Sequence, residues 1–354
     1  MPAVLLERSE AQKWETGGTL KKEDFKMNVK RGMRLLQLLF FLAMVLIPLL
    51  ALGKAAPSPG GASKTPAAHR PAENGKQFRV MDSSSGKVMN VNDGEFLIAT
   101  VATEMSPGAP AEALKAQAVA AYTYYSRLRK LTGGKGKSDF SADPLNASVY
   151  MTDEQMRKRW RNSYDKYYAA VSDAANAVFG QTLTYGGDLA DTTYFAISSG
   201  CTESAEDVWG GKYPYLISVA SPEDRFAGGY QTSAGFSESD FRSRILSAAP
   251  KAKLDGGAES WVGALTRSAA GAVKTAAVGG VSLTGAQIRQ AFGLRSADFT
   301  VSHESGKFVF TVRGYGHGVG MSQTGAEAMA RGGSNYRDIL SWYYPGTVLS
   351  AKAV

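Results

Sequence analysis

Hydrophobic residues recur at helical spacing in two adjacent stretches between residues 92 and 130. The apolar positions of the first stretch, which Asn92 or Asp93 can cap, are Leu97, Ile98, Val101 and Met105. The sequence Pro-Gly-Ala-Pro at 107–110 interrupts this pattern, and Pro110 suits the first turn of a helix. The second stretch has one continuous apolar stripe, formed by Leu114, Ala118, Ala121, Tyr125 and Leu128. The pattern therefore predicts two consecutive helices, the second of them a core helix.

Alternating patterns predict strands on both sides of this helix pair. Residues 78–91 alternate around a Ser- and Gly-containing turn, which predicts a hairpin. Residues 181–185 and 189–197 flank a Gly-Gly turn and predict a second hairpin. Two further strands are predicted near 299–302 and 308–313.

Several helices are predicted from their caps. Thr152 and Gln155 make a capping box that opens one long helix to about Val178. Other helices are predicted at 236–246, from Thr284 to Gly293, at 323–331, and after a cap at Ser334. The Gly- and Ala-rich run at 256–280 indicates loops. Mixed helices and short strands predict an α+β fold, either a single grooved domain or one with two lobes.

An almost unbroken apolar run covers residues 35–52. Its length of about 18 residues is close to the roughly 20 needed to span a bilayer. Four basic residues precede it, Lys26, Lys30, Arg31 and Arg34. This flank predicts a cytoplasmic amino end and a domain outside the cytoplasm. We favour an uncleaved single-pass anchor in the cell membrane; a signal peptide cleaved after the small residues at 51–53 is the alternative.

Composition divides the rest of the chain. Residues 1–34 are polar and lack periodicity, which indicates a cytoplasmic tail. Residues 53–76 are rich in Ala, Pro, Ser and Gly, which is typical of a linker. Residues 77–354 then form the extracytoplasmic domain.

Charge and cysteine content narrow the classes of partner. The formal net charge of +8 suits an anionic polymer, but no basic groove with interleaved aromatic residues indicates nucleic acid. Cys201 is the single cysteine, which excludes an intrachain disulfide and a Cys-rich metal site. The chain is therefore not expected to bind nucleic acid.

Glu104 is the candidate catalytic acid. It stands at the predicted end of the first helix, among Val101, Ala102 and Met105. Apolar neighbours would desolvate its carboxylate, and desolvation raises the pKa toward the value that a general acid needs. A solvated charge at a helix end is the other interpretation that the local sequence allows.

Two loops rich in glycine and hydroxyl groups are candidates for ligand contact. Residues 194–210 follow a strand and contain Ser-Ser-Gly-Cys-Thr. Residues 313–326 have glycine at every second position, which does not suit an ordinary strand and lets backbone approach a neighbour closely. The spacing fits neither a dinucleotide fingerprint nor a phosphate loop, so no cofactor is predicted. This loop presents His317, whose ordinary pKa of about 6.5 would let it contribute a second ionisation if it contacts the substrate.

The predicted helix pair with Glu104 and the two glycine-rich loops resemble three motifs of the stage II sporulation protein D family, also called the SpoIID/LytB domain. The first stretch matches its pattern Val-Ala-x-Glu-Met, a Pro-containing turn and Glu-Ala-Leu-Lys-Ala-Gln-Ala-Val-Ala-Ala, at residues 101–121. The second matches Phe-x-x-x-Ser-Gly-x-Thr-x-x-x-Glu-Asp-Val-Trp, and the segment at 214–222 follows as in the family. Residues 314–347 match the carboxyl-terminal signature. The resemblance covers about residues 78–350.

The resemblance implies a peptidoglycan lytic transglycosylase with Glu104 as its catalytic residue. Such an enzyme cleaves the MurNAc–GlcNAc bond with one carboxyl group, because the C6 hydroxyl of the sugar replaces water. Ordinary glycoside hydrolysis needs two carboxyl groups. Five other residues of the motifs would then contact the glycan: His317, Ser322, Gln323, Thr202 and Glu206.

Two departures from the family pattern change what is expected. Many members carry Cys or His residues, in some cases zinc ligands, in the loop that corresponds to residues 132–146. This chain has none there, so no metal is predicted. The family often has Arg where this chain has Tyr122, so a substrate contact by that arginine is in doubt.

A binding protein without chemistry is the alternative function. Some members of the family are described as modifiers of a cell-wall amidase, and a pure wall-binding modifier would not need the acid at Glu104. In the enzyme interpretation the partners are peptidoglycan glycan strands. A role in sporulation adds a cell-wall amidase and membrane proteins acting at the engulfing septum. A serine hydrolase that uses His317 is disfavoured, because no Gly-x-Ser-x-Gly sequence is present.

Overall fold

The computed structural model describes residues 69–142 and 149–350. All of them belong to the compact unit Thr65–Val354. The predicted tail at 1–34, the apolar segment at 35–52 and most of the predicted linker lie outside the described residues. Within the described part of the chain, no helix is both long and apolar enough to cross a membrane. The anchor therefore stays a prediction.

The end of the predicted linker lies against the folded unit. The backbone N–H of Ala72 donates to Asn176 Oδ1 at 3.0 Å. A Cβ atom on Gly94 would lie 2.0 Å from the carbonyl oxygen of Ala72, so this contact requires glycine at position 94. Residues 69–76 look like linker by composition, but backbone contacts hold them to the domain.

A small sheet opens the domain. β1 (Gln77–Asp82) and β2 (Val88–Asn92) form the predicted antiparallel hairpin, with Phe78 opposite Val91. β3 (Phe140–Ala142) joins the other side of β1 in parallel. Alternation places Phe78 in the core, and this part of the prediction is confirmed.

The predicted helix pair follows the sheet as α1 (Asp93–Glu104) and α2 (Ala111–Thr132). The side chain of Asn92 caps α1 by accepting the backbone N–H of Gly94 at 2.8 Å. α2 ends at Gly133, whose φ of 55° is the left-handed conformation that glycine adopts without strain. The apolar stripe of α2 is buried apart from the half-buried Leu128 at its end, which confirms α2 as a core helix.

The predicted long helix is in fact two helices, α3 (Asp153–Trp160) and α4 (Tyr164–Ala177). The capping box at its start is confirmed. The chain breaks at Arg161, whose φ of 47° cannot continue an α-helix. Trp160 on one side of the break and Tyr164 on the other are both buried, and packing of these two rings sets where the chain turns.

The second predicted hairpin was only partly right. β4 (Thr182–Tyr185) pairs with the short β5 (Asp188–Leu189), whereas the prediction extended the second strand to residue 197. β6 (Tyr194–Phe195) leaves this sheet and pairs in parallel with β13 (Met321–Ser322). The partner of β6 is more than 120 residues away, so local alternation could not reveal it.

Short elements complete this part of the chain. α5 (Ala205–Trp209) lies in the second motif, and α8 (Gln323–Arg331) begins at the predicted residue. α9 (Tyr336–Tyr343) is capped by Asn335 in a capping box with Asp338, not by Ser334 as predicted. The last strand, β14 (Val348–Ser350), is antiparallel to β4.

Residues 231–313 form a second lobe between the second and third motifs. Its elements are β7 (Gln231–Ser237), α6 (Glu238–Ala248), β8 (Val262–Arg267), β9 (Val273–Val278), β10 (Val281–Thr284), α7 (Gly285–Phe292), β11 (Phe299–Glu304) and β12 (Lys307–Arg313). Two antiparallel sheets result, β10-β9-β8 and β11-β12-β7. The predicted loops at 256–280 therefore contain two strands, because small side chains still alternate between buried and exposed positions in β9.

Two separate hydrophobic cores support the two-lobed form of the α+β prediction. The first core packs α1, α2, α4, α8 and α9 together with the rings of β1 and α3. The second core lies within residues 231–313 and is mainly aromatic: Phe241, Trp261, Phe292, Phe299, Phe308 and Phe310.

Candidate active site

Glu104 is the last residue of α1, and its side chain is partly buried. Val101, Ala102 and Met105 around it are buried, as the sequence indicated. Burial raises the pKa of the Glu104 carboxyl, and a hydrogen bond from Gln323 opposes this rise without cancelling it. The carboxyl therefore keeps its proton to a higher pH than a solvated glutamate does.

Gln323 joins the third motif to Glu104. It is the first residue of α8, and its Nε2 donates to Glu104 Oε2 at 3.2 Å. The same nitrogen donates to Oε1 of Gln117 on α2 at 3.3 Å. Both glutamines are buried, so their amides have few alternative partners and fix each other's position.

The second motif reaches Glu104 through Tyr194. The phenol groups of Tyr194 and Tyr125 lie close to each other and to Glu104. Burial raises the pKa of both phenols, and the nearby carboxylate of Glu104 raises it further. Glu104 therefore lies at a junction of all three motifs, with two neutral phenols beside it.

Sequence reasoning did not identify Gln117, Tyr125 or Tyr194 as site residues. A signal existed for Gln117, since a glutamine within an apolar helix stripe needs a buried hydrogen-bond partner. Tyr125 was assigned to the core by its spacing. Only the tertiary structure shows that its hydroxyl faces a carboxyl group.

The alternating glycines of the third motif bring it against the second motif. Gly314, Gly316, Gly318 and Gly320 all have positive φ, between 77° and 126°. A Cβ atom on Gly320 would lie 2.0 Å from the carbonyl oxygen of Thr193, and one on Gly316 would lie 2.5 Å from Phe195 Cβ. The close neighbour that the sequence required is another segment of this chain.

His317 is held as a neutral imidazole. The backbone N–H of Val319 donates to its Nδ1 at 3.1 Å, so Nε2 carries the hydrogen and donates to the Tyr194 carbonyl at 3.1 Å. Its ring lies between Phe195 and Trp209, with centroid distances of 5.6 and 5.3 Å. Burial lowers the pKa of His317 to about 4, and the charge of Arg289 contributes to this shift. In the free protein, His317 therefore does not provide an ionisation near 6.5.

Ser322 and Thr202 support the site from inside the protein. Ser322 Oγ donates to Asp224 Oδ2 at 2.7 Å and caps α8 by accepting from Gly325 N. Thr202 Oγ1 donates to a backbone carbonyl at 3.2 Å and accepts a backbone N–H at 2.9 Å. Both residues are fully buried and position the backbone around them, and their contact with a glycan stays a prediction.

Glu206 is exposed and Asp224 is buried, and the glycan contact of Glu206 stays a prediction. Glu206 is exposed on α5, where its carboxylate lies 3.4 Å from the Lys212 ammonium, and exposed pairs of this kind contribute little stability. Asp224, which was not singled out, is buried and accepts the backbone N–H of Ser198 at 2.7 Å. Its hydrogen bonds with Ser198 and Ser322 connect the second motif to the start of α8. Burial raises the pKa of Asp224.

Tyr122, where the family often has Arg, lies in the core of the first lobe. Tyr122 is buried, and its hydroxyl donates to Asp93 Oδ2 at 2.9 Å. Arg129 pairs with the other oxygen of Asp93 at 2.7 Å. The residue at position 122 thus contributes to a buried polar cluster at the start of α1, away from Glu104 at its end.

Candidate metal ligands are dispersed in the part of the chain that the structure describes. In the ranges 69–142 and 149–350, no three or more His, Cys, Asp or Glu side chains converge as a metal site would require. Part of the loop at 132–146 lies outside these ranges, so the lack of zinc stays a prediction. Cys201 is a partly buried free thiol whose Sγ lies 3.6 Å from the carbonyl oxygen of Ala270.

Fold and site together describe an α+β protein in which three distant motifs surround one desolvated carboxylic acid. A family model described as "Stage II sporulation protein" matches residues 81–185. Stage II sporulation protein D of Bacillus subtilis (strain 168) is 35% identical over 298 residues, which cover 81% of this chain and 85% of that protein. The protein of the same name from Bacillus amyloliquefaciens is 36% identical over 274 residues, or 77% of this chain and 78% of that one.

The chain therefore belongs to the stage II sporulation protein D family, and the family predicted from the sequence is confirmed. A more distant similarity is to the amidase enhancer of Bacillus subtilis (strain 168). It is 26% identical over 301 residues, which cover 71% of this chain and 40% of that protein.

Proposed function

We propose that this protein is a lytic transglycosylase that cleaves the MurNAc–GlcNAc bond of peptidoglycan glycan strands. The observation that carries the proposal is the junction at Glu104, where one carboxyl group with a raised pKa receives a hydrogen bond from Gln323 of another motif. A protonated carboxyl held in a fixed orientation is suited to general acid catalysis. Glu206, the glutamate of the second motif that was predicted to contact the glycan, is exposed and pairs with Lys212.

The proposed reaction uses Glu104 twice. The protonated carboxyl donates its proton to the glycosidic oxygen, and the bond from that oxygen to C1 of MurNAc breaks. The C6 hydroxyl of the same sugar attacks C1, and the Glu104 carboxylate removes the hydroxyl proton. A 1,6-anhydro ring forms, no water is consumed, and Glu104 regains its proton.

The neighbours of Glu104 would position it during both steps. Gln323 donates to one carboxylate oxygen and is itself held by Gln117. Tyr194 and Tyr125 provide phenol hydroxyls beside the carboxyl. Such prearranged donors stabilise charge without reorganisation as the reaction proceeds.

Membership in the family supports a role of the proposed activity in the cell envelope during sporulation. On this proposal the segment at 35–52 anchors the protein in the cell membrane, with the domain outside the cytoplasm. A relative named amidase enhancer supports a cell-wall amidase as a partner. Membrane proteins at the engulfing septum would complete the assembly.

Replacement of the acid tests the proposal. Purified full-length wild type and Glu104→Gln are incubated with isolated glycan strands, and the products are identified by mass spectrometry. We expect 1,6-anhydro fragments from wild type and none from Glu104→Gln, since an amide keeps the size but cannot donate the proton. Glu95→Gln is the matched control, because Glu95 is exposed on the same helix. Cleavage by Glu104→Gln at the wild-type rate would refute the single-acid mechanism.

A wall-binding modifier of an amidase is the second candidate, favoured by the similarity to the amidase enhancer. Its test is stimulation of a purified cell-wall amidase by wild type and by Glu104→Gln. Equal stimulation by both proteins, without glycan cleavage by either, would favour the modifier over the enzyme.

A further inference from the structure

A cavity of about 240 Å³ lies between the two lobes, apart from Glu104. From the first lobe it is lined by the second and third motifs, including Glu203, Trp209 and His317. From the second lobe it is lined by β9, the start of α7 and Arg289. Since about 10–15 Å³ of such space holds one water molecule, the cavity is large enough for a sugar substituent or the end of a peptide.

Two acidic and two basic groups of this cavity form ion pairs with each other. Lys274 Nζ lies 2.7 Å from Asp207 Oδ1, and Arg313 Nη2 lies 2.9 Å from Asp298 Oδ1. Arg289 donates from Nε to a backbone carbonyl at 3.3 Å, but no carboxylate among the described residues pairs with its guanidinium. The cavity therefore has a cation without a counter-ion.

Partial burial makes the missing counter-ion significant. Desolvation lowers the pKa of Arg289, which means that the protein does not compensate the charge of this guanidinium. A bound anion would form charge-assisted hydrogen bonds with the free end of the side chain. Thr284, Gly285 and Ala286 at the start of α7 also line the cavity, and the positive end of a helix dipole favours an anion there.

Glu203 provides a second group without a complete set of partners. It is only 4% exposed, and its Oε1 accepts the backbone N–H of Ala272 at 3.0 Å. Its Oε2 is buried without a hydrogen bond of good geometry, although the Ser268 hydroxyl lies close enough to favour the charged carboxylate. Burial raises the pKa of Glu203, so this oxygen can also carry a proton. A buried oxygen without a hydrogen bond of good geometry calls for an N–H or O–H group of a ligand, or for an acceptor when it is protonated.

We propose that the cavity between the lobes binds a carboxylate-bearing group, with Arg289 as its counter-ion and Glu203 as a hydrogen-bond partner of the adjacent polar group. Trp209 provides an apolar wall beside them. The choice of ligands rests on the proposed function, because two carboxylates occur on peptidoglycan. One is the lactyl group of muramic acid without its peptide, and the other belongs to the stem peptide.

Binding measurements distinguish these two sources. N-acetylmuramic acid has a free lactyl carboxylate, N-acetylglucosamine has none, and in muramyl dipeptide only the peptide carries a carboxylate. Ligand-observed NMR with the full-length chain measures each affinity. We expect at least one of the two carboxylate ligands to bind about tenfold or more tightly than N-acetylglucosamine, as charge-assisted hydrogen bonds imply.

Substitution of Arg289 decides whether the cavity is responsible. Arg289→Gln should abolish the preference for the carboxylate ligand, and Arg289→Lys should retain part of it. Arg244→Gln is the matched control, because Arg244 also donates to a backbone carbonyl of α7, that of Ala291, but is exposed and does not line the cavity. Preference for N-acetylmuramic acid assigns the lactyl carboxylate, and preference for muramyl dipeptide assigns the peptide carboxylate.

Equal binding of all three ligands, or a preference that survives Arg289→Gln, would overturn the proposal. The same titration with Glu104→Gln separates this result from the proposed function. Binding that depends on Arg289 should persist in Glu104→Gln, so loss of catalysis and loss of the subsite are independent observations.

Discussion

At the scale of single residues, Glu104 connects burial with acid strength. Helix α1 ends with its apolar face in the core, and the carboxyl of its last residue is desolvated as a consequence. Gln323 donates to the carboxylate and favours the charged form, yet burial has the larger effect. On the proposed function, the residue starts the catalytic cycle as an acid while a hydrogen bond orients it.

The pH dependence of glycan cleavage follows from this shift. The ordinary pKa of a glutamate is about 4.3, and the raised pKa of Glu104 keeps its carboxyl protonated to a higher pH. The rate should therefore fall as pH rises through the raised pKa. The profile is measured as initial rates of 1,6-anhydro product formation from about pH 4 to about pH 9. A control at each pH checks that the protein stays folded. A rate that rises with pH on this limb would show that Glu104 does not act first as an acid.

His317 should not titrate near neutral pH in the folded protein. Burial lowers its pKa to about 4, so the imidazole is neutral above that value and becomes charged only as pH falls through it. NMR of histidine ring protons during a pH titration measures this midpoint, and His317→Ala assigns the signal. A midpoint near the ordinary value of about 6.5 would mean that the hydrogen bonds of His317 are not those described here.

At the scale of elements, close backbone contacts decide how the motifs meet. β6 and β13 pair in parallel, and the glycines of the third motif lie directly against residues 193–203. A pattern of alternating glycines indicates close approach without naming the neighbour. The pairing partner is a property of the assembled chain.

Gly320→Ala should destabilise the domain more than Gly306→Ala does. Both glycines have positive φ, 85° and 72°, so either alanine costs about 1–2 kcal/mol in backbone conformation. A Cβ atom at Gly320 would also clash with the Thr193 carbonyl, whereas a Cβ atom at Gly306 would have no described neighbour within 4 Å. The extra overpacking cost should be about 1–3 kcal/mol.

Denaturant unfolding of both variants and wild type measures these differences. Equal destabilisation by the two substitutions would show that the contact between the second and third motifs can relax to accept a side chain.

At the scale of the whole molecule, the two lobes have separate hydrophobic cores. Phe241 lies in the second core, where its ring stacks on Phe308 at a centroid distance of 3.8 Å. Phe241→Ala should cost about 3–5 kcal/mol in that core. Residues 231–313 should lose amide protection, while α2 in the first core should be affected much less.

Hydrogen exchange followed by mass spectrometry tests this independence. Phe78→Ala is the reciprocal variant, because Phe78 is fully buried in the first core. Loss of protection across both lobes in each variant would instead indicate one cooperative unit.

The sequence by itself determined the helix pair, its caps, the α+β class and the family, and it indicated Glu104 as the candidate acid. These features depend on interactions over a few residues, such as the apolar spacing around Val101 and the capping box at Thr152. Periodicity and capping record such interactions directly. The same signals failed where packing of distant residues decides the outcome, as at the break at Arg161 and the strands within 256–280.

Only the tertiary structure decided which side chains surround Glu104. Gln323 lies 219 positions along the chain from Glu104, and no local pattern records that its amide reaches the carboxyl. The burial that raises the pKa of Glu104 and lowers that of His317 also arises from packing between distant segments. Desolvation and hydrogen bonding depend on where side chains meet in space, so the chemistry of the site follows from the fold and not from the motifs alone.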